Sequence, residues 1–116
     1  MRKSETSLNE ILKTRIKKTF AQVISELKDI NKSHQFLSDF LTDIEYELFS
    51  KRLAIAYWLK KGRSYQNIKD NLKVSSATIS SIQSQMKKKG FQLALKNLEA
   101  EEWASKWEER IKKFVK

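Results

Sequence analysis

Residues 64–80 read Ser64-Tyr65-Gln66-Asn67-Ile68-Lys69-Asp70-Asn71-Leu72-Lys73-Val74-Ser75-Ser76-Ala77-Thr78-Ile79-Ser80. The stretch divides into two short helices. Ser64 is placed to cap the first, its side-chain oxygen accepting from a free backbone N–H, and Ser75 to cap the second, which runs from Ser76 to Lys88. Lys73-Val74 makes the turn between them. Ile68, Leu72, Val74, Ile79 and Ile82 recur at spacings that face inward and set the angle between the helices, with Val74 as a plug in the turn. This is a helix-turn-helix pattern over residues 64–89, and it sets the expectation of double-stranded DNA as partner.

The surface the pattern leaves outside fits that partner. The start of the second helix carries Ser76, Ala77, Thr78, Ser80 and Ser81. These side chains are small enough for a helix to enter a major groove about 12 Å wide. Ser and Thr can hydrogen-bond bases or phosphates, and Ala can touch a thymine methyl. Arg63, Lys69, Lys73 and Lys87 to Lys89 flank this surface, six cations against one acid, Asp70. That is the footprint a phosphate-backbone binder needs. An ordinary helical hairpin would share the inward spacing, and the charge separates the two. Two positions depart from the usual pattern. Lys69 stands where such motifs commonly have Ala, and Lys73 where they commonly have Gly, so Lys73 must accept a strained conformation or a different turn.

Composition limits what else the chain can be. Its 116 residues suit one all-α domain, residues 1–116. The formal net charge is +10. Ten Lys/Arg against four Asp/Glu fall in residues 42–90, a net +6, so the excess concentrates around the motif. There is no Cys and one His, His34, which excludes thiolate chemistry, disulfides and most structural zinc sites, and His34 alone cannot build a metal site. No Gly-rich phosphate loop or recognisable paired-carboxylate site is present, so an enzyme is not expected. No apolar run approaches membrane-spanning length, and the N-terminus does not read as a secretory signal, so a cytoplasmic protein with no membrane partner is expected. No Pro and two Gly leave almost none of the turn punctuation that a sheet protein uses, so the fold class is all-α.

Outward from the motif, residues 5–30 read as one long amphipathic helix. Leu8, Ile11, Leu12, Ile16, Phe20, Val23, Ile24, Leu27 and Ile30 form a single apolar stripe. A stripe of about seven turns exceeds what one small domain needs to cover, so a second copy of the chain is the expected partner. A helix that only caps its own core is the alternative. Asn31-Lys32-Ser33 breaks the pattern, and a short helix follows from His34 to Leu41. Thr42-Asp43-Ile44-Glu45 is a capping box opening the next helix. That helix ends at Lys60-Lys61-Gly62, Gly just past two lysines being a stop signal; the core helices thus occupy 34–62. Gly90 ends the second motif helix. A last helix spans 91–114, with Trp103, Trp107, Ile111 and Phe114 on its second half. The two tryptophans either pack in the core or meet a partner.

At these residues the chain resembles the Trp repressor family. The resemblance covers about residues 34–90. It rests on the short helix before Thr42, the capping Thr42-Asp43-Ile44-Glu45, Arg52-Leu53-Ala54-Ile55 ahead of Leu59-Lys60-Lys61-Gly62, and Ala77-Thr78-Ile79-Ser80. It implies a six-helix fold and an intertwined homodimer, whose helix-turn-helices enter successive major grooves about 34 Å apart on a near-palindromic operator. It implies DNA contacts from Gln66 and Lys69 in the first motif helix and from Ser76, Ala77, Thr78 and Ser80 in the second. The family also binds an amino-acid corepressor through two arginines. Arg52 matches the first, as a ligand contact or else as a structural ion pair with Glu45 or Glu47. The second falls at Ser81. Two guanidiniums hold the carboxylate and flank the indole, so L-tryptophan is not an expected ligand; no cofactor is expected, with another amino-acid corepressor as the alternative. The function that follows is a DNA-binding transcriptional regulator, a repressor. The alternatives are a helical protein–protein interaction module, or a DNA-binding protein of replication-initiator type without a transcriptional role.

Overall fold

The computed structural model describes the backbone of residues 7–115 and the side chains of residues 7–102. Within that span six helices run in order: α1 Glu10–Glu26, α2 Ile30–Phe40, α3 Asp43–Lys60, α4 Tyr65–Leu72, α5 Ser76–Gln85 and α6 Lys89–Val115. No strand occurs among the described residues, as the missing turn punctuation implied. The chain divides into two compact units, one ending at Tyr46 and one beginning at Glu47.

In the first unit the helix expected over 5–30 is shorter at both ends, Glu10–Glu26. The Asn9 side chain caps α1, accepting from Ile11 N at 2.9 Å and Leu12 N at 3.2 Å. The helix stops at Glu26, Lys28 takes φ +46°, and Asp29 caps α2 by accepting from Asn31 N at 2.7 Å. Asn31-Lys32-Ser33, expected to break a helix, therefore forms the first turn of α2, and the short helix begins at Ile30 rather than His34. The apolar spacing concealed the break because Leu27 and Ile30 remain three apart across it.

Neither α1 nor α2 buries a residue. Phe20 stacks on Phe40, centroids 5.3 Å apart, and Phe36 on Phe40 at 5.1 Å, which ties the two helices together. His34 Nδ1 lies 2.9 Å from the Tyr46 hydroxyl. The capping box forms as read. Thr42 N donates to the Glu45 carboxylate at 2.9 Å, and Glu45 N donates to Thr42 Oγ1 at 3.1 Å.

The bond from the Thr42 backbone N–H, and secondly the Thr42 side chain, hold the Glu45 carboxyl below the ordinary glutamate range. A folded-state pKa below the unfolded one contributes stability that is present above the unfolded value and is lost as pH falls through the folded value. Glu45→Gln is therefore expected to flatten the acid limb of the stability curve, read from thermal melts taken from about pH 7 to about pH 3. An unchanged acid limb would remove the box from that role.

The core lies in the second unit. Ile55 and Ala56 of α3, Ile68 of α4, Ile79 and Ile82 of α5 and Leu95 of α6 are buried together. Leu72 and Val74, expected inward, pack half-buried against them, as do Trp58, Tyr65, Met86 and Phe91. Burying an Ile contributes about 1.5–3 kcal/mol, so these few side chains fix how α4 and α5 sit on α3 and α6. Lys60 pairs with Glu99 and Lys61 with Glu102, both at 3.1 Å, joining the end of α3 to α6.

The second motif helix ends earlier than expected, at Gln85 rather than Lys88. The Gln92 side chain donates to the Met86 carbonyl at 2.5 Å and caps that end from α6. Gly90, expected as the terminator, sits in the first turn of α6, where it is simply a small helical residue. Trp103, Trp107, Ile111 and Phe114 lie outside the described side chains.

Candidate nucleic-acid interface

Serine caps set both motif helices. Ser64 Oγ accepts from Asn67 N at 3.1 Å, and Ser75 Oγ accepts from Thr78 N at 3.1 Å. Between them Lys73 adopts φ +56°, ψ +54°, the left-handed conformation that Gly ordinarily supplies. The departure seen in the sequence is thus met by strain and not by a different turn. A non-Gly residue in this region costs about 1–2 kcal/mol. Lys73→Gly is expected to raise stability by about 0.5–1 kcal/mol, since glycine's extra unfolded-state freedom offsets part of the relief. It is also expected to weaken duplex binding roughly three- to tenfold by removing one cation. The two effects have opposite signs, and melts with DNA titrations separate them. A variant that gains stability and keeps full affinity would take Lys73 out of the interface.

With Ile79 and Ile82 buried, the 100° step of the helix turns Ala77, Ser80, Ser81 and Ser84 outward. Ser76, Ala77, Thr78, Ser80 and Ser81 are all exposed, as expected. They are not equally free. The Thr78 hydroxyl lies 3.0 Å from Ser75 Oγ, within the cap. Ser84 was missed by the sequence reading, although its spacing of seven from Ala77 and four from Ser80 continues the outward stripe. In α4, Gln66 is exposed but its amide donates to Asp70 at 2.8 Å, and Lys69 is half-buried. The Tyr65 hydroxyl donates to Gln83 and joins α4 to α5. Arg63 stands just ahead of the Ser64 cap. Because α5 ends at Gln85, Lys87 lies in the turn to α6 and not on α5.

Arg52 makes neither of the ion pairs considered for it. Its Nη2 donates to Gln85 Oε1 at 2.8 Å, from α3 to α5, and Gln85 Nε2 reaches Ser81 Oγ at 3.4 Å. This polar chain crosses a cleft of about 480 Å³ lined by Leu48, Phe49, Arg52, Thr78, Ser81 and Gln85, among others. Gln85 was not foreseen. Only its spacing of four from Ser81 could have pointed to it. Among the described residues no group of His, Cys, Asp or Glu is placed to hold a metal ion, and no helix is long and apolar enough to cross a membrane.

Two capped helices joined by a left-handed turn, with a small-residue outer face and flanking cations, define a helix-turn-helix. The sequence profile of the Trp repressor protein family matches residues 17–99, and the chain belongs to that family. Its members are DNA-binding regulators, not enzymes. The chain is similar to the uncharacterized protein YerC of Bacillus subtilis (strain 168), 34% identical over 59 residues. The match covers 51% of this chain and 57% of that relative's length. No solved structure matches the chain.

Proposed function

We propose that this protein is a homodimeric transcriptional repressor that reads a near-palindromic duplex operator in the cytoplasm and needs no tryptophan to do so. The observation that carries the reading is the outer face of α5. Ala77, Ser80 and Ser81 are exposed on a serine-capped helix, and Arg63, Lys73 and Lys87 are exposed in the segments that flank the two motif helices.

Dimerisation is supported by what the first unit lacks. A 17-residue helix that buries nothing, with Ile11 73% exposed, gains little from its own packing beyond the Phe20 contact. Leu48, Phe49 and Leu53 on α3 add further exposed apolar surface. A second copy supplies cover for both, and two-fold symmetry then matches a palindromic site.

Independence from tryptophan is supported by the cleft. Gln85 already occupies Arg52, and Ser81 offers a hydroxyl where a second guanidinium would be needed to clamp a carboxylate. The test is a duplex titration at rising salt, with and without L-tryptophan. The expected results are a steep fall in log K with log salt and no response to the amino acid. Binding that appears only with tryptophan would overturn the effector-free part, and absence of duplex binding would overturn the whole.

A further inference from the structure

The end of α3 does more than stop a helix. Gly62 takes φ +84°, and its N–H donates to the Leu59 carbonyl at 3.0 Å, while Arg63 N donates to the Trp58 carbonyl at 3.1 Å. These two bonds make a Schellman cap, which folds the chain back over the last turn of the helix. The Arg63 side chain is thereby laid on the Trp58 ring, its guanidinium carbon 3.9 Å from the ring centroid. Its Nη1 lies 3.5 Å from Asn67 Oδ1 in α4.

Trp58 is half-buried and packs against the core, whereas Arg63 is exposed. An exposed cation is thus held by a residue that the core anchors. A free Arg side chain loses about 2 kcal/mol of rotamer entropy when it is fixed on a partner. Stacking fixes it beforehand and uses only the face of the guanidinium. The N–H donors lie in the guanidinium plane, in the fork geometry that suits phosphate oxygens. Arg63 also adjoins the cap of α4, the helix that crosses the DNA backbone in this class of docking.

We propose that Trp58 is a positioning residue for DNA binding, holding Arg63 in place to contact a backbone phosphate at the start of α4. The proposal rests on the duplex-binding reading above. It assigns a role in that reading to an aromatic side chain that does not itself face the duplex.

The test is a double-mutant cycle on the full chain with Trp58→Leu, Arg63→Ala and the pair, read by duplex affinity across a salt series. Arg63→Ala is expected to weaken binding roughly three- to tenfold and to lower the salt slope by about one. Trp58→Leu is expected to lose a similar factor, and to lose nothing more once Arg63 is absent. A residue that only supports the fold would weaken binding equally in both backgrounds, and that result overturns the proposal. Should Trp58→Leu fail to fold, Trp58→Met, which keeps apolar bulk but has no ring face, carries the same cycle with Arg63→Lys. Arg63→Lys keeps the charge but gives up the planar stack, so it is expected to behave like Arg63→Ala in becoming insensitive to residue 58. Wild-type binding without coupling sinks the positioning role alone. Failure of the wild type to bind any duplex sinks the duplex-binding reading and the proposal with it.

Discussion

Ala77→Glu is expected to lower affinity for duplex DNA by at least about 100-fold while leaving the protein as stable as before or slightly more so. Ala77 is the second residue of α5, exposed and opposite the buried Ile79 and Ile82. A carboxylate in the first turn of a helix meets the positive end of its dipole and stabilises it by about 0.3–1 kcal/mol. The same carboxylate at the leading surface of a recognition helix faces phosphates and base acceptors, with no counter-charge to offset the repulsion. Side-chain bulk adds to the effect, because the short outer face is what lets the helix approach the groove. Stability from melts and affinity from titration should therefore move in opposite directions. A variant that binds like the wild type would show that α5 does not approach the duplex.

Ile16→Asp is expected to dissociate the proposed dimer. Ile16 is 50% exposed in the single chain, on a helix that buries nothing. Covering an isoleucine contributes about 1.5–3 kcal/mol. Half of that remains to be gained at Ile16, and in a two-fold assembly the change occurs once in each subunit, so the loss is about 1.5–3 kcal/mol, or roughly 10–10² in dissociation constant. Desolvating the new carboxylates adds to this. Sedimentation equilibrium should find the wild type as a dimer and the variant as a monomer at the same concentration. Because each half-site needs its own reader, the variant should also lose specific operator binding. A variant of unchanged dimer mass would place the subunit contact elsewhere, and a monomeric wild type would remove it.

The parts of the fold that were legible in the sequence are those in which local chemistry and tertiary packing agree. Ser64, Ser75 and the Thr42–Glu45 box act through neighbours three residues away, so the sequence carries the whole interaction. Ile68, Ile79 and Ile82 are buried because helical periodicity and the core demand the same face. Lys73 was legible as an exception: a turn that needs positive φ is recognisable even when the residue in it is unsuited.

The failures have physical causes as well. The break at Lys28 left the apolar spacing intact and was marked only by the Asp29 cap, a single side chain. Gly90 misled because a glycine near a helix end signals a stop only when the chain adopts a left-handed turn there. Gly62 does so, and Gly90 does not. The partner of Arg52 is 33 residues away, so no local rule reaches Gln85. The stacking of Arg63 on Trp58 follows from the Gly62 cap. That cap was visible in the sequence, but the direction in which it sends the next side chain was not.

Operator reading by this protein is tested by selection of bound sequences from a random duplex pool with the wild type. The expected result is enrichment of one two-fold-symmetric site, with half-sites about 10 base pairs apart centre to centre, whether or not tryptophan is present. Retention of all duplexes alike, with no site enriched, would contradict it.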